Sequence, residues 1–523
     1  MLLGIDLGTS SLKVMLFDPQ DGTFTLDKEP VVMAQPAPDR AEGDPEEWWA
    51  ALVTVLQRLR AADPGRLRAV KAIGVSTFFP VLVPLDAAGR VLHPALLYCD
   101  HRSVAQVEEL AASFGRTRLE QRTGNQLTPG TCTLPGILWL RAHEPELFRK
   151  TRCFAQATTF LTHRLTGEFT VDYSHGSLSG MVESGQEDRW DSAILTHVHL
   201  DPGKLPRLTA ATEVIGESCG KGAAACGLRS GIPVVAGAGD ALLAAVGGGV
   251  FGARQLFGSA GTTDCLLFTG SRPPRDPTFS NCRHAIPDCW ASIGSLTTAG
   301  SAVKWFCERA LHCSVEEMTG WAEQAPPGAG GTVFLPYLQG CRTPWWDTNA
   351  RGVLAGLGLG TGREALARAV FEGVAFGWKE IVDRLAREYA LAPSEMITAG
   401  GGSANRLWNR IKASVLALPL RVLAFPETTS LGAAVLAGLG CKLFPDCVTA
   451  AAVIAPLLQD EVVCPVPSWT GVYRERYRNY VSLYPALRDT FRDRAPRSLS
   501  GLGVSRALVT KFRQAPHAKP RGN

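Results

Sequence analysis

No two cysteines in this 523-residue chain are spaced as a CxxC pair; the 14 thiols lie scattered from Cys99 to Cys464. That spacing excludes a paired-cysteine zinc or dithiol centre and fits reduced thiols rather than a disulfide framework. No basic segment precedes an apolar stretch at the amino terminus, so secretion is not expected and a cytoplasmic location is. The longest low-charge stretch, residues 232–253, contains Asp240 and many glycines. A membrane span needs about 20 mostly apolar residues without such breaks, so no membrane partner is expected. Heptads and short-period repeats are missing. So are the common nucleotide motifs: residues 216–222 have the wrong spacing and no Ser/Thr for a P-loop, no GxGxxG follows a strand, and no protein-kinase catalytic loop occurs. His197 and His199 could hold a metal or simply lie on the surface. Neither sign of charge dominates. Residues 495–523 carry Arg497, Arg506, Lys511, Arg513, Lys519 and Arg521 without an acid, more than the net +4 of the whole chain. This tail lacks an apolar period and is read as a solvated extension, not a nucleic-acid reader.

What the chain does have is length, apolar content and glycine. Its 523 residues exceed one core, and 46% hydrophobic content with 54 glycines describes a loop-rich α/β enzyme of two large domains. Two distant segments share one design. Leu2 to Phe17 and Gln255 to Phe268 each read as a strand, a Gly-Thr-Ser/Thr turn and a second strand, centred on Gly8-Thr9-Ser10 and Gly261-Thr262-Thr263. Glycine lets backbone approach an anion, and successive N–H groups with hydroxyls can wrap a phosphate. One such hairpin is an ordinary sheet edge; two suggest lobes gripping one polyphosphate, hence ATP in a cleft. Asp44 and Pro45 open a helix whose apolar face is Trp48, Leu52, Val55, Leu56 and Leu59. A strand is expected over 68–76, a mostly helical insertion over 104–170 and a hinge at Gly247 to Gly249. In the second half, helices are expected over 301–311, 364–389, 405–416 and 431–439, with strands at 396–399 and 420–425.

Residues 233–240 form the sharpest chemical candidate: a buried strand, a glycine turn, then Asp240 heading a helix. Asp240 is either a helix N-cap or a general base for a hydroxyl nucleophile. Asp6 ends the first strand, where a buried carboxylate needs a partner, either a magnesium ion with phosphate oxygens or a hydrogen bond from the hairpin. Lys13 either reaches a phosphate or is solvated. Gly400-Gly401-Gly402 before a helix suits a nucleotide face, or serves packing.

Taken in order, Gly4 to Ser10, Gly43 to Trp49, Arg90 to Tyr98 with Asp100 and Arg102, Ala238 to Asp240, Gly261 to Thr263, Phe334 to Leu338, Arg342 to Pro344, Gly352 to Leu357, Ala367 to Val374 and Gly400 to Gly402 resemble the FGGY carbohydrate kinases, and within them the xylulokinases. The resemblance runs to about Tyr484. It implies an actin/Hsp70-like, ribonuclease-H-type fold in two lobes, with ATP in the interdomain cleft and MgATP-dependent phosphorylation of a sugar hydroxyl. It implies lobes at 1–247 and 252–440; a helical appendage at 441–493 and the basic tail at 494–523 are expected to follow. Asp240 then matches the catalytic base and Asp6 the metal side. Thr9, Ser10, Lys13, Gly261, Thr262 and Thr263 match the phosphate side, and Gly400, Gly401, Gly402 and Asn405 the adenosine side. Phe78, Phe79, Asp100 and Arg102 fall on the substrate side. Departures cluster there: Phe78-Phe79-Pro80-Val81 replaces Gln-Met-His-Gly, Ala241 an Asn, Gly136 a Lys and Cys341 a Glu. The implied activity is phosphorylation of a small sugar at a terminal hydroxyl, first D-xylulose, otherwise another ketose, polyol or aldonate. The resemblance allows a homodimer. A non-catalytic ATP-binding scaffold is the rival from another class.

Overall fold

The computed structural model describes residues 1–390 and 393–492; the basic tail lies outside the described residues. Strand β1 (Leu2–Leu7) and β2 (Ser11–Phe17) form the first hairpin, in register from Leu2–Phe17 to Leu7–Leu12. Alternation explains their burial. Leu3, Ile5, Leu7, Leu12, Val14 and Leu16 face an outer core, while Leu2, Met15 and Phe17 face an inner one. β3 (Phe24–Pro30) extends the sheet beyond β2. Helix α1 (Pro45–Ala62) covers the outer face: Asp44 accepts the Glu46 N–H at 2.8 Å, Pro45 sits in the first turn, and the expected apolar stripe is buried. Each such aliphatic side chain contributes about 1.5–3 kcal/mol on burial. The strand expected at 68–76 starts later. Asp63 caps a short helix, Pro64–Arg68, and β4 (Ala72–Thr77) follows, parallel to β1.

The insertion has its own core around α2 (Leu134–His143), with Leu82, Leu96, Val107 and Leu110. It touches the second half of the chain, where Asn281 N–H donates to Asn125 Oδ1 at 2.7 Å. The short helix α3 (Tyr173–Ser177) follows it. β5 (Val214–Glu217), β6 (Pro233–Val235) and β7 (Ala238–Gly239) complete the sheet, ordered β5-β6-β4-β1-β2-β3 with β7 also on β4, and α4 (Asp240–Gly247) leaves it.

The second lobe repeats this plan. β8 (Leu256–Ser259) and β9 (Asp264–Gly270) make the hairpin, with β10 (Ser280–Arg283) and β11 (Trp290–Leu296) beyond β9. After α5 (Arg363–Tyr389), β12 (Met396–Ala399) runs parallel to β8. α6 (Arg406–Leu416) then leads to β13 (Leu420–Leu423), parallel to β12. The segment expected as helix 301–311 is α-helical over Gly300–Trp305 and a π-turn over Phe306–Leu311. The two sheets therefore share a series: β3-β2-β1-β4-β6-β5 in one and β11-β9-β8-β12-β13-β14 in the other, where β14 is Asp460–Val463.

α7 (Thr428–Gly440) and α4 lie between the sheets, in a core that mixes Leu2, Met15 and Phe17 with Phe257, Leu267 and Ile397. The approach is too close for side chains. A Cβ on Gly4 would lie 2.1 Å from the Ser430 carbonyl, and one on Gly432 1.9 Å from that of Leu243. Gly247, expected as a hinge, serves the same crossing, at 1.9 Å from the Thr428 carbonyl. Residues 441–492, expected as a helical appendage, pack onto the second lobe. β14 pairs with β13, and α8 (Pro467–Arg492) buries Tyr473, Tyr480, Tyr484 and Phe491 in the second lobe's core. No helix among the described residues is long and apolar enough to cross a membrane.

Candidate active site

Both hairpins turn at the same edge of their sheets. In the first, Gly8 N–H donates to Ser11 C=O at 3.0 Å. The second is strapped to the following helix: Ala299 and Ser301 N–H donate to the Thr262 carbonyl, and Gly300 N–H to that of Gly261. Among the described residues no protein acceptor takes the backbone N–H of Thr9, Ser10, Thr262 or Thr263. Such free, successive donors suit a phosphate. Thr263 Oγ1 donates to Thr297 C=O at 3.0 Å, which fixes its hydroxyl. Lys13 is only partly solvated and is paired: its ammonium is 2.6 Å from Glu427, just before α7.

Asp6 and Asp240 emerge beside one another because β1, β4 and β7 are adjacent and parallel in register. Asp6 pairs with Ser76 and Ser76 with Ala238; Gly239 pairs with Thr77, and Asp240 is next in the chain. Asp240 is the first residue of α4 and Gly239 its N-cap, so the N-cap alternative is not what is seen; Asp240 Oδ1 instead accepts the neighbouring Ala241 N–H at 2.7 Å. Burial pushes its carboxyl up to about 6, against the opposing Ala241 hydrogen bond and the nearby His175. Burial and then the charge of Asp240 push Asp6 higher, to about 7. Asp6 Oδ1 is buried with no hydrogen-bond partner, as is the adjacent Ser76 hydroxyl. A buried carboxylate oxygen without a partner leaves room for a water or a cation. No cluster of three or more metal-binding side chains occurs among the described residues. A cation at Asp6 would take its other ligands from phosphate oxygens and water, the habit of magnesium.

Sequence reasoning missed the group behind Asp240. Asp172 is fully buried and caps α3, accepting Ser174 N–H at 2.9 Å and the Ser174 hydroxyl. Its other oxygen holds His175 Nδ1, and His175 Nε2 meets Thr77 Oγ1 at 3.1 Å. Ser174 Oγ in turn accepts the Gly239 N–H at 3.2 Å. Asp172 thereby fixes the strand end that carries Asp240. The available signal was an Asp-x-Ser-His sequence at a helix start, a polar cluster with no solvent-facing rationale.

Phe79 packs against His175 with the rings tilted at 47° (centroids 5.2 Å apart) and fills the space a Gly239 side chain would take. Phe78 turns the other way, into the lobe core against Trp48 and Tyr98. Of the two phenyl rings, the one beside Asp240 is Phe79. Asp100 and Arg102 are both buried and bind each other, with Arg102 also pairing with Glu42 at 2.6 Å. From the second lobe, Arg342 lies 5.1 Å over the Tyr98 ring, a contact between the lobes.

Gly400 and Gly401 border a hollow of about 510 Å³ whose other walls include Arg406, Asn409, Leu423, Pro426 and Gln459. Gly400 has φ +106°, and a Cβ there would meet the Ala260 carbonyl at 2.5 Å, whereas Gly401 faces open space. Asn405 caps α6 by accepting the Trp408 N–H at 3.0 Å and donates to Thr319.

Duplicated sheets around a shared helical layer, each ending in an anion-type turn, define the actin/Hsp70-like class of two-lobed phosphotransferases. Residues 1–247 match the N-terminal domain and residues 256–441 the C-terminal domain of the FGGY family of carbohydrate kinases. The chain belongs to that family and is a sugar kinase. It is 33% identical to the xylulose kinase of Escherichia coli strain K12 over 79% of this chain and 84% of the relative. A glycerol kinase from Thermococcus kodakarensis is 29% identical over 85% of this chain and 89% of its own. The crystal structure of a xylulose kinase from Rhodospirillum rubrum superposes with a TM-score of 0.86 at 28% identity, covering 94% of this chain and 99% of that one.

Proposed function

We propose that the protein transfers the γ-phosphoryl group of ATP to the terminal hydroxyl of a small sugar, D-xylulose being the first candidate. The observation that carries this reading is the placement of Asp240 at the strand ends beside Asp6, held from behind by the Asp172 network. Asp240 accepts the hydroxyl proton as the oxygen attacks phosphorus. A carboxyl poised near 6 is ionised at neutral pH and basic enough to take that proton. The turns at Thr9-Ser10 and Gly261 to Thr263 hold the phosphates, and the hollow at Gly400 and Gly401 takes the adenosine. Asp6 would hold magnesium, which when bound neutralises phosphate charge. Phe79 and Tyr98 wall the sugar on the Asp240 side, with Arg342 closing over Tyr98, while Asp100 and Arg102 support that wall through their mutual pair. Closing the lobes excludes water that would otherwise compete as acceptor.

Support for D-xylulose comes from the xylulose kinases among the relatives. A second reading, a smaller or less hydroxylated acceptor, rests on Phe79: a phenyl face gives no hydrogen bond to a sugar hydroxyl, and apolar walls discriminate weakly between substrates. A kcat/KM series over pentuloses, hexuloses, aldonates, glycerol and other polyols separates the two. A preference for D-xylulose above all others supports the first; a flat series, or one led by glycerol, supports the second.

A further inference from the structure

The buried face of α6 is interrupted by one charge. Leu407, Trp408, Ile411, Val415 and Leu416 are buried at helical spacing, and Lys412 lies among them, 1% exposed. Its ammonium sits 3.8 Å from the centroid of Trp378 and 4.1 Å from that of Trp408. It is 3.9 Å from Asp264 Oδ2, and no hydrogen-bond acceptor takes it among the described residues. Asp264 is equally buried and immediately follows the second phosphate turn. Its Oδ1 accepts the Gly261 N–H at 2.9 Å and its Oδ2 the Trp378 indole N–H at 2.7 Å.

A buried ion pair is weak evidence of stabilisation, because well-packed apolar residues of similar volume hold a fold together as well or better. Its value lies in fixing a geometry. Here the pair joins both halves of the nucleotide site: Asp264 grips the first residue of the Gly261 to Thr263 turn, and Lys412 rides the helix that starts just after Gly400 to Gly402. The indole faces hold the ammonium in place. We propose that Lys412 is a positioning residue for the nucleotide, setting the Gly261–Thr263 turn through Asp264 so that the turn and the α6 start present one preformed surface to ATP. This inference rests on the reading of the cleft as an ATP site.

The test is ATP binding by calorimetry on the full chain, for the native protein and for Lys412→Met, Asp264→Asn and the double variant. Preorganisation lost at the turn should weaken ATP about tenfold, the scale of one hydrogen bond's worth of affinity. The KM for sugar should stay within about twofold. A second readout needs no variant. Burial pulls the Lys412 ammonium down to about 8, with Asp264 the group opposing that shift; α5 and α6 face it with the uncharged indoles of Trp378 and Trp408. ATP affinity of the native protein should therefore fall as pH rises through about 8, and this fall should vanish in Lys412→Met. Unchanged ATP affinity in the variants overturns the inference while leaving the ATP site standing. Should the variants fail to fold, a native affinity that is flat from pH 7 to 9.5 overturns it equally. A native protein that binds no ATP at all overturns the reading of the cleft itself.

Discussion

As the proposed base, Asp240 faces two demands at one atom: it must be ionised to accept a proton, yet sit where burial favours the neutral acid. The structure reconciles them with one short hydrogen bond from Ala241 and a histidine behind the strand end. Because its carboxyl titrates near 6, kcat/KM for the sugar should fall as pH drops below about 6 and level off above it. An acid limb centred near 4 instead would mean that the carboxylate is not held as described. Phe79→Ala removes the ring from beside Asp240 and should raise the KM for sugar several-fold, with the KM for ATP unmoved. Equal changes in both constants would place that ring in the packing of the lobe and not at the substrate. The Asp172 network acts one step further back. His175→Gln keeps a hydrogen bond to Thr77 but loses the imidazole that ties Thr77 to Asp172, so kcat should drop while the KM for ATP stays unchanged.

At the scale of elements, glycines in similar sequence settings turn out to do opposite things. A side chain on Gly401 meets nothing within 4 Å, while one on Gly432 lies 1.9 Å from a backbone carbonyl. Gly401→Val should leave the melting temperature unchanged and raise the KM for ATP, because the new side chain intrudes on the adenosine hollow. Gly432→Ala should do the reverse, destabilising the protein by about 1–3 kcal/mol, the usual cost of overpacking. Thermal denaturation and ATP kinetics on the two variants check both at once. The two hairpins, α1 with its Asp44 cap, and the glycine turn before α6 were legible in the sequence, because each is specified by neighbours a few residues apart. The α4–α7 crossing was not. It depends on Gly4, Gly74, Gly247 and Gly432 meeting backbone from remote segments, and nothing local distinguishes these from turn glycines. The Lys13–Glu427 pair and the Asp172–His175–Thr77 chain were hidden for the same reason, as their partners lie 414 and 98 residues apart.

The whole molecule is a pair of similar sheets that share one helical layer, and this explains why a sugar kinase needs so long a chain. Each lobe supplies one anion-type turn. The strand ends of the first add the two carboxylates, and the glycine turn of the second borders the hollow proposed for adenosine. Residue patterns indicated the two turns and the strand-end position of both carboxylates. What they could not reach was the split between Phe78 and Phe79, adjacent in sequence but facing opposite sides of the strand end. The measurement that tests the account most directly is sugar-dependent ADP release by the native protein and by Asp240→Asn, with ATP binding followed in parallel. The amide keeps the size of the carboxylate but cannot accept the hydroxyl proton. The variant should bind ATP with near-native affinity and lose about 100- to 10,000-fold in kcat, the range for a general base. A variant that keeps most of its turnover would contradict the assignment of Asp240 as the base, and with it the reading of the strand ends as the catalytic centre.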